Sequence, residues 1–221
     1  MRAKLILLIF VFCAAALFFP SMPGSDSLKT VFRLTDEPSE VIVRGMSGSA
    51  LTINISFGDE EIVALIRELQ APYPLLLLDM EWAERFPEIV QLIKKRNIPT
   101  GLLGHAGLEY EQNTPLLIEQ LEKYEEFFGT KPLWFRTADE QFPFTLRSTL
   151  WDIEVNALGS TVQWSKGEPP PVIEGEIISL PHHREERITL SNFKKLIETR
   201  QNKSLEEVLF NMSIKTKKLP Q

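Results

Sequence analysis

The alternation of short apolar runs with longer amphipathic stretches constrains the fold more than any other feature of this sequence. The run Leu75–Leu78 is continuously apolar between Pro74 and Asp79, which is typical of a strand buried on both faces of a sheet. The other predicted strands are Ala50–Ile55, Thr100–Leu103, Leu133–Phe135, Ile153–Leu158 and Glu176–Leu180. Strands that alternate with helices of about 10 to 15 residues predict a largely parallel sheet, either open or closed into a barrel.

The helices between these strands are marked by their own start and stop residues. Asp59 can accept a hydrogen bond from the first amides of a helix whose apolar positions recur with helical spacing from Ile62. Further helices are predicted around Ile89–Ile93, from the capping residue Thr114 to Gly129, over Asn192–Thr199, and from Ser204. The pair Ser204 and Glu207 has the spacing of a capping box.

The first 24 residues predict targeting rather than fold. Arg2 and Lys4 precede the apolar run Leu5–Phe19, an order that is typical of a secretory signal peptide. The run is shorter than the roughly 20 residues that span a bilayer, but the uncharged stretch to Ser25 nearly reaches that length, so an uncleaved membrane anchor is the alternative. The single cysteine of the chain, Cys13, lies within this segment. We therefore expect a secreted or extracytoplasmic protein, either free or held at the membrane by residues 1–24.

Charge and cysteine content limit the partners and the means of stabilisation that the chain can have after residue 24. The chain carries a net charge of −6, and removal of Arg2 and Lys4 leaves 22 basic and 30 acidic residues, a net charge of −8. This acidic balance argues against nucleic acid as a partner, which would need a basic face. Without cysteine, the domain must be stabilised by its core alone. We divide it into an N-terminal extension at residues 25–49, a domain at 50–213 and a basic tail at 214–221.

Three stretches resemble the polysaccharide deacetylases with a NodB homology domain. The first is Leu51-Thr52-Ile53-Asn54-Ile55-Ser56-Phe57-Gly58, where the family usually reads L-T-F-D-D-G-P, and its L-T-I-N form resembles a sub-branch common in spore-forming bacteria. The second runs from Leu75 to Gly101 and is similar to the family's A-T-F-F strand, W-x-x-x-x-P helix start and G-x-E-I-G-N-H turn. The third, Lys131-Pro132-Leu133-Trp134-Phe135-Arg136, is similar to K-P-x-x-F-R. Their order and spacing also fit, over about Leu51–Met212.

This resemblance implies both a fold and a chemistry. The fold is a distorted (β/α) barrel with fewer strands than the regular eight-stranded form. Family members use a divalent metal such as zinc, held by one aspartate and two histidines, to activate a water that hydrolyses the N- or O-acetyl groups of a glycan. A neighbouring aspartate is the base, and a histidine late in the chain is the acid.

The family's base and metal ligands are replaced in this sequence. Asn54 stands at the base position, and an amide cannot accept a proton near neutral pH. Ile55 stands at the metal-binding aspartate, while Leu103 and Gly107 stand at the two histidines. No H-x-x-x-H occurs in the chain, and His105 is the only histidine before residue 182. The resemblance therefore implies a chain with no metal site of the family's type and no bound cofactor.

Other family-equivalent positions keep a polar residue. Arg136 matches the arginine that orients the base in the family. Since Asn54 offers no charge, Asp139 or Glu140 can pair with Arg136 instead, and a buried structural pair is the simpler interpretation. His182 lies one residue away from the register of the late histidine, and its alternative is an exposed polar turn. We take Asn54, Arg136 and His182 as the family-equivalent catalytic positions.

Trp164 and Asp139 are the candidates for contact with a substrate. Trp164 is what remains of the family's Asp-Trp motif, and tryptophan can stack on a sugar ring, although most tryptophans are core residues. His105 and Glu109 could hold a relocated site, for which the simpler interpretation is a loop histidine beside a solvated acid. A carboxylate cluster could also be built from Asp79, Glu81 and Asp139.

Three functions stay open on the sequence. The first is an exported pseudoenzyme that associates with cell-envelope carbohydrate, binding cell-wall glycan or an envelope protein without hydrolysis. The second is an active hydrolase that removes N- or O-acetyl groups from peptidoglycan or a chitin-like glycan through a relocated site. The third is a structural or partner-binding protein, in contact with the membrane only through its N-terminal segment. We favour the first, because the chain has no local histidine pair from which the family's site could be rebuilt.

Overall fold

The computed structural model of the protein describes residues 40–113 and 115–210. The predicted signal segment, the helix-capping Thr114 and the basic tail therefore lie outside the described residues. The strands of the described part are β1 (Ser49–Ile55), β2 (Leu75–Leu78), β3 (Thr100–Gly104), β4 (Trp134–Thr137), β5 (Asn156–Ala157), β6 (Val162–Gln163), β7 (Glu176–His182) and β8 (Asn202–Lys203). Its helices are α1 (Glu60–Glu68), α2 (Met80–Arg85), α3 (Pro87–Lys95), α4 (Gly107–Gln112), α5 (Pro115–Phe128), α6 (Phe144–Asp152), α7 (Leu190–Ile197) and α8 (Leu205–Phe210).

These strands join one curled, parallel sheet. Their order is β5-β4-β3-β2-β1-β7-β6, and β8 pairs with β1. The central strand β1 aligns Asn54 with Leu77 of β2 and with Pro181 of β7. Parallel neighbours need crossover connections, which the helices supply. The carboxyl ends of the strands therefore gather at one edge, where barrel enzymes place their catalytic residues. The result is the open, barrel-like α/β fold expected from the sequence.

The helices begin where side chains bind their free backbone amides. The carboxylate of Asp59 accepts a hydrogen bond from the first amide of α1 at 2.6 Å. Asp79 does the same at the start of α2, where it accepts from the backbone of Trp82 at 2.8 Å. Ser204 and Glu207 each accept from the other's backbone amide, so the predicted capping box is formed before α8. Among the described residues, no helix has the length and apolar content needed to cross a membrane.

The two faces of the sheet carry different side chains, because successive strand residues point to opposite sides. The outer face packs against the helices in one apolar core, to which the strands contribute Leu51, Ile53, Ile55, Leu76, Leu78, Leu102, Phe135, Ile178 and Leu180. The inner face of the curl carries a cluster of buried polar residues among apolar ones such as Leu77 and Leu103. The cluster consists of Thr52, Asn54, Arg136 and Ser179, and it is called the polar interior below.

Short elements account for the differences from the sequence prediction. Helices α2, α4 and α6 are 6 to 9 residues long, and too short for their periodicity to stand out. The predicted strand Ile153–Leu158 is reduced to Asn156–Ala157. Helix α6 continues to Asp152, and Glu154 then takes a left-handed backbone conformation at φ 63°. The β-branched residues of this stretch therefore form a turn rather than a strand.

Candidate functional site

Arg136 is the centre of the polar interior. It lies on β4, is fully buried, and faces β1 and β7 across the inside of the curled sheet. Its guanidinium donates five hydrogen bonds, to Thr52 Oγ1 (2.7 Å), Asn54 Oδ1 (3.0 Å), Ser179 Oγ (3.1 Å) and the carbonyls of Leu158 (3.0 Å) and Gly159 (2.7 Å). Nη1 has two N–H groups for the three oxygens of Thr52, Asn54 and Ser179, so these acceptors share its hydrogens, while Nε and Nη2 each donate to one backbone carbonyl.

The Asn54 amide is held in one orientation by this network. Its Oδ1 accepts from Arg136, and its Nδ2 donates to Ser179 Oγ at 3.2 Å. The side chain is 7 % exposed, so solvent barely reaches it. An amide in this position can hold a substrate by hydrogen bonds, but it cannot remove a proton from a water molecule.

The charge of Arg136 has one nearby acid, Glu140. The Arg136 Nε lies 3.7 Å from Glu140 Oε1, and Ser160 donates to the other carboxylate oxygen at 2.8 Å. Burial lowers the pKa of Arg136 to about 10, and the charge of Glu140 opposes that shift. The other candidate partner of Arg136, Asp139, accepts hydrogen bonds from the backbone amides of Gly107 (3.0 Å) and Gln141 (3.1 Å) instead.

The residues at the family's metal-ligand positions do not fit a metal ion. Ile55 has an apolar side chain that is fully buried in the outer core. Leu103 is 4 % exposed and aligns with Arg136, so it places an aliphatic side chain on the inner face. Gly107 has no side chain. Within residues 40–113 and 115–210, no group of three His, Cys, Asp or Glu side chains could hold an ion.

The position of Gly107 is also closed to a larger residue. A Cβ atom added there would lie 2.2 Å from the carbonyl oxygen of Gln141 and 3.0 Å from Pro143 Cδ. Contacts below 3.0 Å force the neighbouring atoms to move, and the nearest one is backbone. A histidine could therefore enter this position only if the loop after β4 shifted.

His105 and Asp79 lie at the carboxyl ends of neighbouring strands, β3 and β2. His105 Nδ1 is 3.1 Å from Glu109 Oε2, so the predicted histidine–glutamate contact is present, although His105 precedes α4 rather than sharing its face. Burial raises the pKa of Asp79, and its bond from Trp82 and the nearby His105 offset the rise in part. Asp79 and His105 therefore both lie at the edge of the sheet where its strands end.

His182 lies on the opposite face of the sheet from Asn54 and Arg136. It aligns with Ile55, whereas Pro181 aligns with Asn54. Side chains alternate along a strand, so an offset of one residue turns the imidazole away from the interior and towards α1. There it is 2 % exposed, and Glu61 Oε2 is 3.6 Å from its Nε2 atom. The structure therefore brings Asn54 and Arg136 together and separates His182 from them.

Trp164 offers little ring surface to a ligand. It is 8 % exposed, packs in the apolar core and donates from Nε1 to the carbonyl of Glu168 at 3.0 Å. Trp82 and Trp134 are also buried. The polar contacts that sequence reasoning missed are Thr52 and Ser179. Both lie on strands at inward positions that alternate with apolar residues, which is the signal that could have identified them.

Comparison with solved structures relates this geometry to known proteins. A CE4-family pseudoenzyme from Bacillus anthracis superposes with a TM-score of 0.64 at 17 % identity, over 78 % of this chain and 69 % of that one. The peptidoglycan deacetylase PdaC from Bacillus subtilis gives 0.57 at 15 % identity, over 78 % and 93 % of the two chains. The chitin deacetylase from the fungal pathogen Colletotrichum lindemuthianum gives 0.61 at 13 % identity, over 77 % and 91 %.

These similarities establish the fold. The protein has the distorted (β/α) barrel of the CE4, or NodB-type, polysaccharide deacetylases, as its three sequence stretches predicted. No protein-family model matches the sequence, and no curated protein matches it.

Proposed function

We propose that this protein is an extracytoplasmic polysaccharide deacetylase-like protein that associates with cell-envelope carbohydrate and does not hydrolyse it. One observation carries the proposal: Arg136 and Ser179 fix a neutral amide, Asn54, at the position that the sequence resemblance equates with the catalytic base. Aliphatic Ile55 and Leu103 stand at two positions that the resemblance equates with metal ligands. Arg136 orders Asn54, Thr52 and Ser179 but has no base to orient.

The carbohydrate part of the proposal is supported by the proteins with the same fold. The similar structures include deacetylases of peptidoglycan and chitin, and one described as a pseudoenzyme. A mutant of that pseudoenzyme is described as having restored enzymatic activity. A barrel of this kind can therefore persist without catalysis. We propose cell-wall glycan as the partner of this protein, and an envelope protein as the alternative partner.

The proposal is tested by three measurements on the purified protein. Elemental analysis is expected to find no stoichiometric zinc or other divalent ion. Incubation with acetylated chitooligosaccharide or peptidoglycan is expected to release no acetate, while an active deacetylase of the same fold serves as the positive control. Titration with the same oligosaccharide is expected to show binding. Acetate release above background, or a tightly bound ion lost on His105→Ala or His182→Ala, would overturn the non-hydrolytic assignment.

An active hydrolase with a relocated site is the second candidate. The observation that favours it is the raised pKa of Asp79 beside His105, at the edge of the sheet where barrel enzymes act. A carboxyl group with a raised pKa could serve as an acid or base there. This candidate predicts acetate release that disappears in Asp79→Asn. The amide retains the oxygen that accepts the helix-capping bond from Trp82, so the variant isolates the titrating group.

A further inference from the structure

A second cavity lies on the outer side of β7, away from the polar interior. It has a volume of about 560 Å³ and opens between α1 and the segment that follows β7. Leu65, Ile188 and Leu190 give it apolar walls, and Ser165 and Thr189 contribute hydroxyl groups. His182 lies in its lining. Cavities of about 300 to 1,000 Å³ with apolar walls and a few polar groups are the usual sites for small ligands.

The His182 imidazole lacks a hydrogen-bond partner within this cavity. The residue is 2 % exposed, and neither Nδ1 nor Nε2 has a hydrogen-bond partner of good geometry among the described residues, although the Ile188 backbone lies close enough to favour the charged ring. The nearest carboxylate, Glu61, is 3.6 Å from Nε2 and is itself bound by Arg187 at 3.1 Å. Buried polar groups are normally paired, and an unpaired one destabilises the fold. A ligand in the cavity would supply the partner that the protein does not.

The state of this imidazole points to a hydroxyl-bearing ligand. Burial lowers the pKa of His182, although Glu61 and the Ile188 backbone oppose the shift, so the ring is neutral at pH 7. A neutral imidazole has one nitrogen that donates and one that accepts. A hydroxyl group both donates and accepts, so it can bond to either kind of ring nitrogen.

The charges around the cavity do not favour an ionic ligand. The lining carries three carboxylates and two cations: Glu61, Glu185, Glu186, Lys166 and Arg187. Glu61 is paired with Arg187, and Glu186 accepts a hydrogen bond from Ser165. The carboxylates would repel an anion, and Lys166 and Arg187 would repel a cation. A neutral molecule is repelled by neither set of charges and does not have to lose the hydration of an ion.

We propose that the outer cavity beside His182 binds one neutral sugar residue of a glycan, with the imidazole bonded to one of its hydroxyl groups and the aliphatic walls against its C–H face. This inference rests on the proposed association with carbohydrate and moves the contact from the barrel interior to the outside of β7. The sugar residue then binds without approaching Asn54.

The test compares a His182 variant with a control variant in a binding titration. The probe is N-acetylglucosamine oligosaccharide, titrated into the full-length protein by calorimetry. His182→Phe keeps a ring of similar size and removes both nitrogens, and we expect it to weaken binding by about tenfold or more. Lys131→Met is the control, because Lys131 is exposed just before β4 and does not line the cavity. Its affinity is expected to equal that of the wild type.

Two further measurements guard against a folding defect. Ala64 lines the cavity from α1 and is exposed, so Ala64→Trp blocks the opening without touching His182, and it should weaken binding to a similar degree. The chain has three histidines, so their ring nitrogens can be assigned by NMR, and those of His182 should shift on addition of the sugar. Circular dichroism checks that each variant is folded.

The outcomes separate this inference from the proposed function. Unchanged affinity in both His182→Phe and Ala64→Trp would overturn the cavity site and leave the glycan association intact. No binding by the wild type would overturn the glycan association itself. Inorganic phosphate that shifts the His182 nitrogens and competes with the sugar would overturn the assignment to a neutral ligand.

Discussion

Replacement of Arg136 by methionine should destabilise the protein strongly. Methionine has a similar length but no donors, so the variant loses five hydrogen bonds and deprives Asn54 Oδ1 and the carbonyls of Leu158 and Gly159 of their donor. Each buried acceptor left unpaired costs about 1–3 kcal/mol, which sets an upper limit near 9 kcal/mol for about three of them. Glu140 also loses its cation. Relief of the buried guanidinium's desolvation offsets several kcal/mol, so the expected net loss is about 3–5 kcal/mol.

The assay is urea unfolding followed by tryptophan fluorescence and far-UV circular dichroism. A domain of this size is typically stable by about 5–15 kcal/mol, so the loss would move the midpoint by a large fraction of its value. Lys131→Met is the control, since Lys131 is exposed just before β4 and should change stability by about 0.5 kcal/mol or less. A loss below about 1 kcal/mol for Arg136→Met would refute the argument that the inner polar network depends on this guanidinium.

Three further variants test other parts of the structure by the same unfolding assay. Ser204→Ala should cost about 1 kcal/mol by removing the capping box with Glu207, and no change would contradict that cap. Gly107→Ala should cost about 1–3 kcal/mol because its Cβ meets the Gln141 carbonyl, whereas an uncrowded helix position would gain stability from the same change. For His182, burial lowers the folded-state pKa below the unfolded value of about 6.5, so the unfolded state binds more protons and stability falls as pH drops from about 6.5 towards the folded pKa. His182→Asn should remove this slope, and an unchanged slope would assign it to another group.

Most of the fold could be predicted because its signals are local. The apolar run Leu75–Leu78 and the alternating Ala50–Ile55 form β2 and β1 as expected. Asp59, Pro115 and the Ser204–Glu207 pair lie at the helix starts that they predicted. Each of these signals depends on residues a few positions apart, and backbone geometry turns that spacing into a face or a cap. Short helices such as α4 were not predicted, because one or two helical turns contain too few residues to show a periodic apolar pattern.

The candidate site was less accessible to sequence reasoning because it joins strands distant in the chain. Arg136 reaches Thr52 and Ser179, which lie 84 and 43 residues away. The sequence offered two possible acidic partners for Arg136, Asp139 and Glu140. In the structure, the turn after β4 directs Glu140 towards Arg136, whereas Asp139 accepts a hydrogen bond from the backbone amide of Gly107. Neither choice is encoded in a local pattern.

The sequence by itself determined the order of strands and helices along the chain, the residue types at the end of each strand and the scarcity of histidine. Those properties depend on which residues are present and on their near neighbours. Only the tertiary structure decided which side of the sheet each candidate faces. His182 follows Pro181, which aligns with Asn54, and on a strand that single step places it behind the sheet, in a separate cavity. Register between distant strands is fixed by packing of the whole domain, so no short stretch of sequence reveals it.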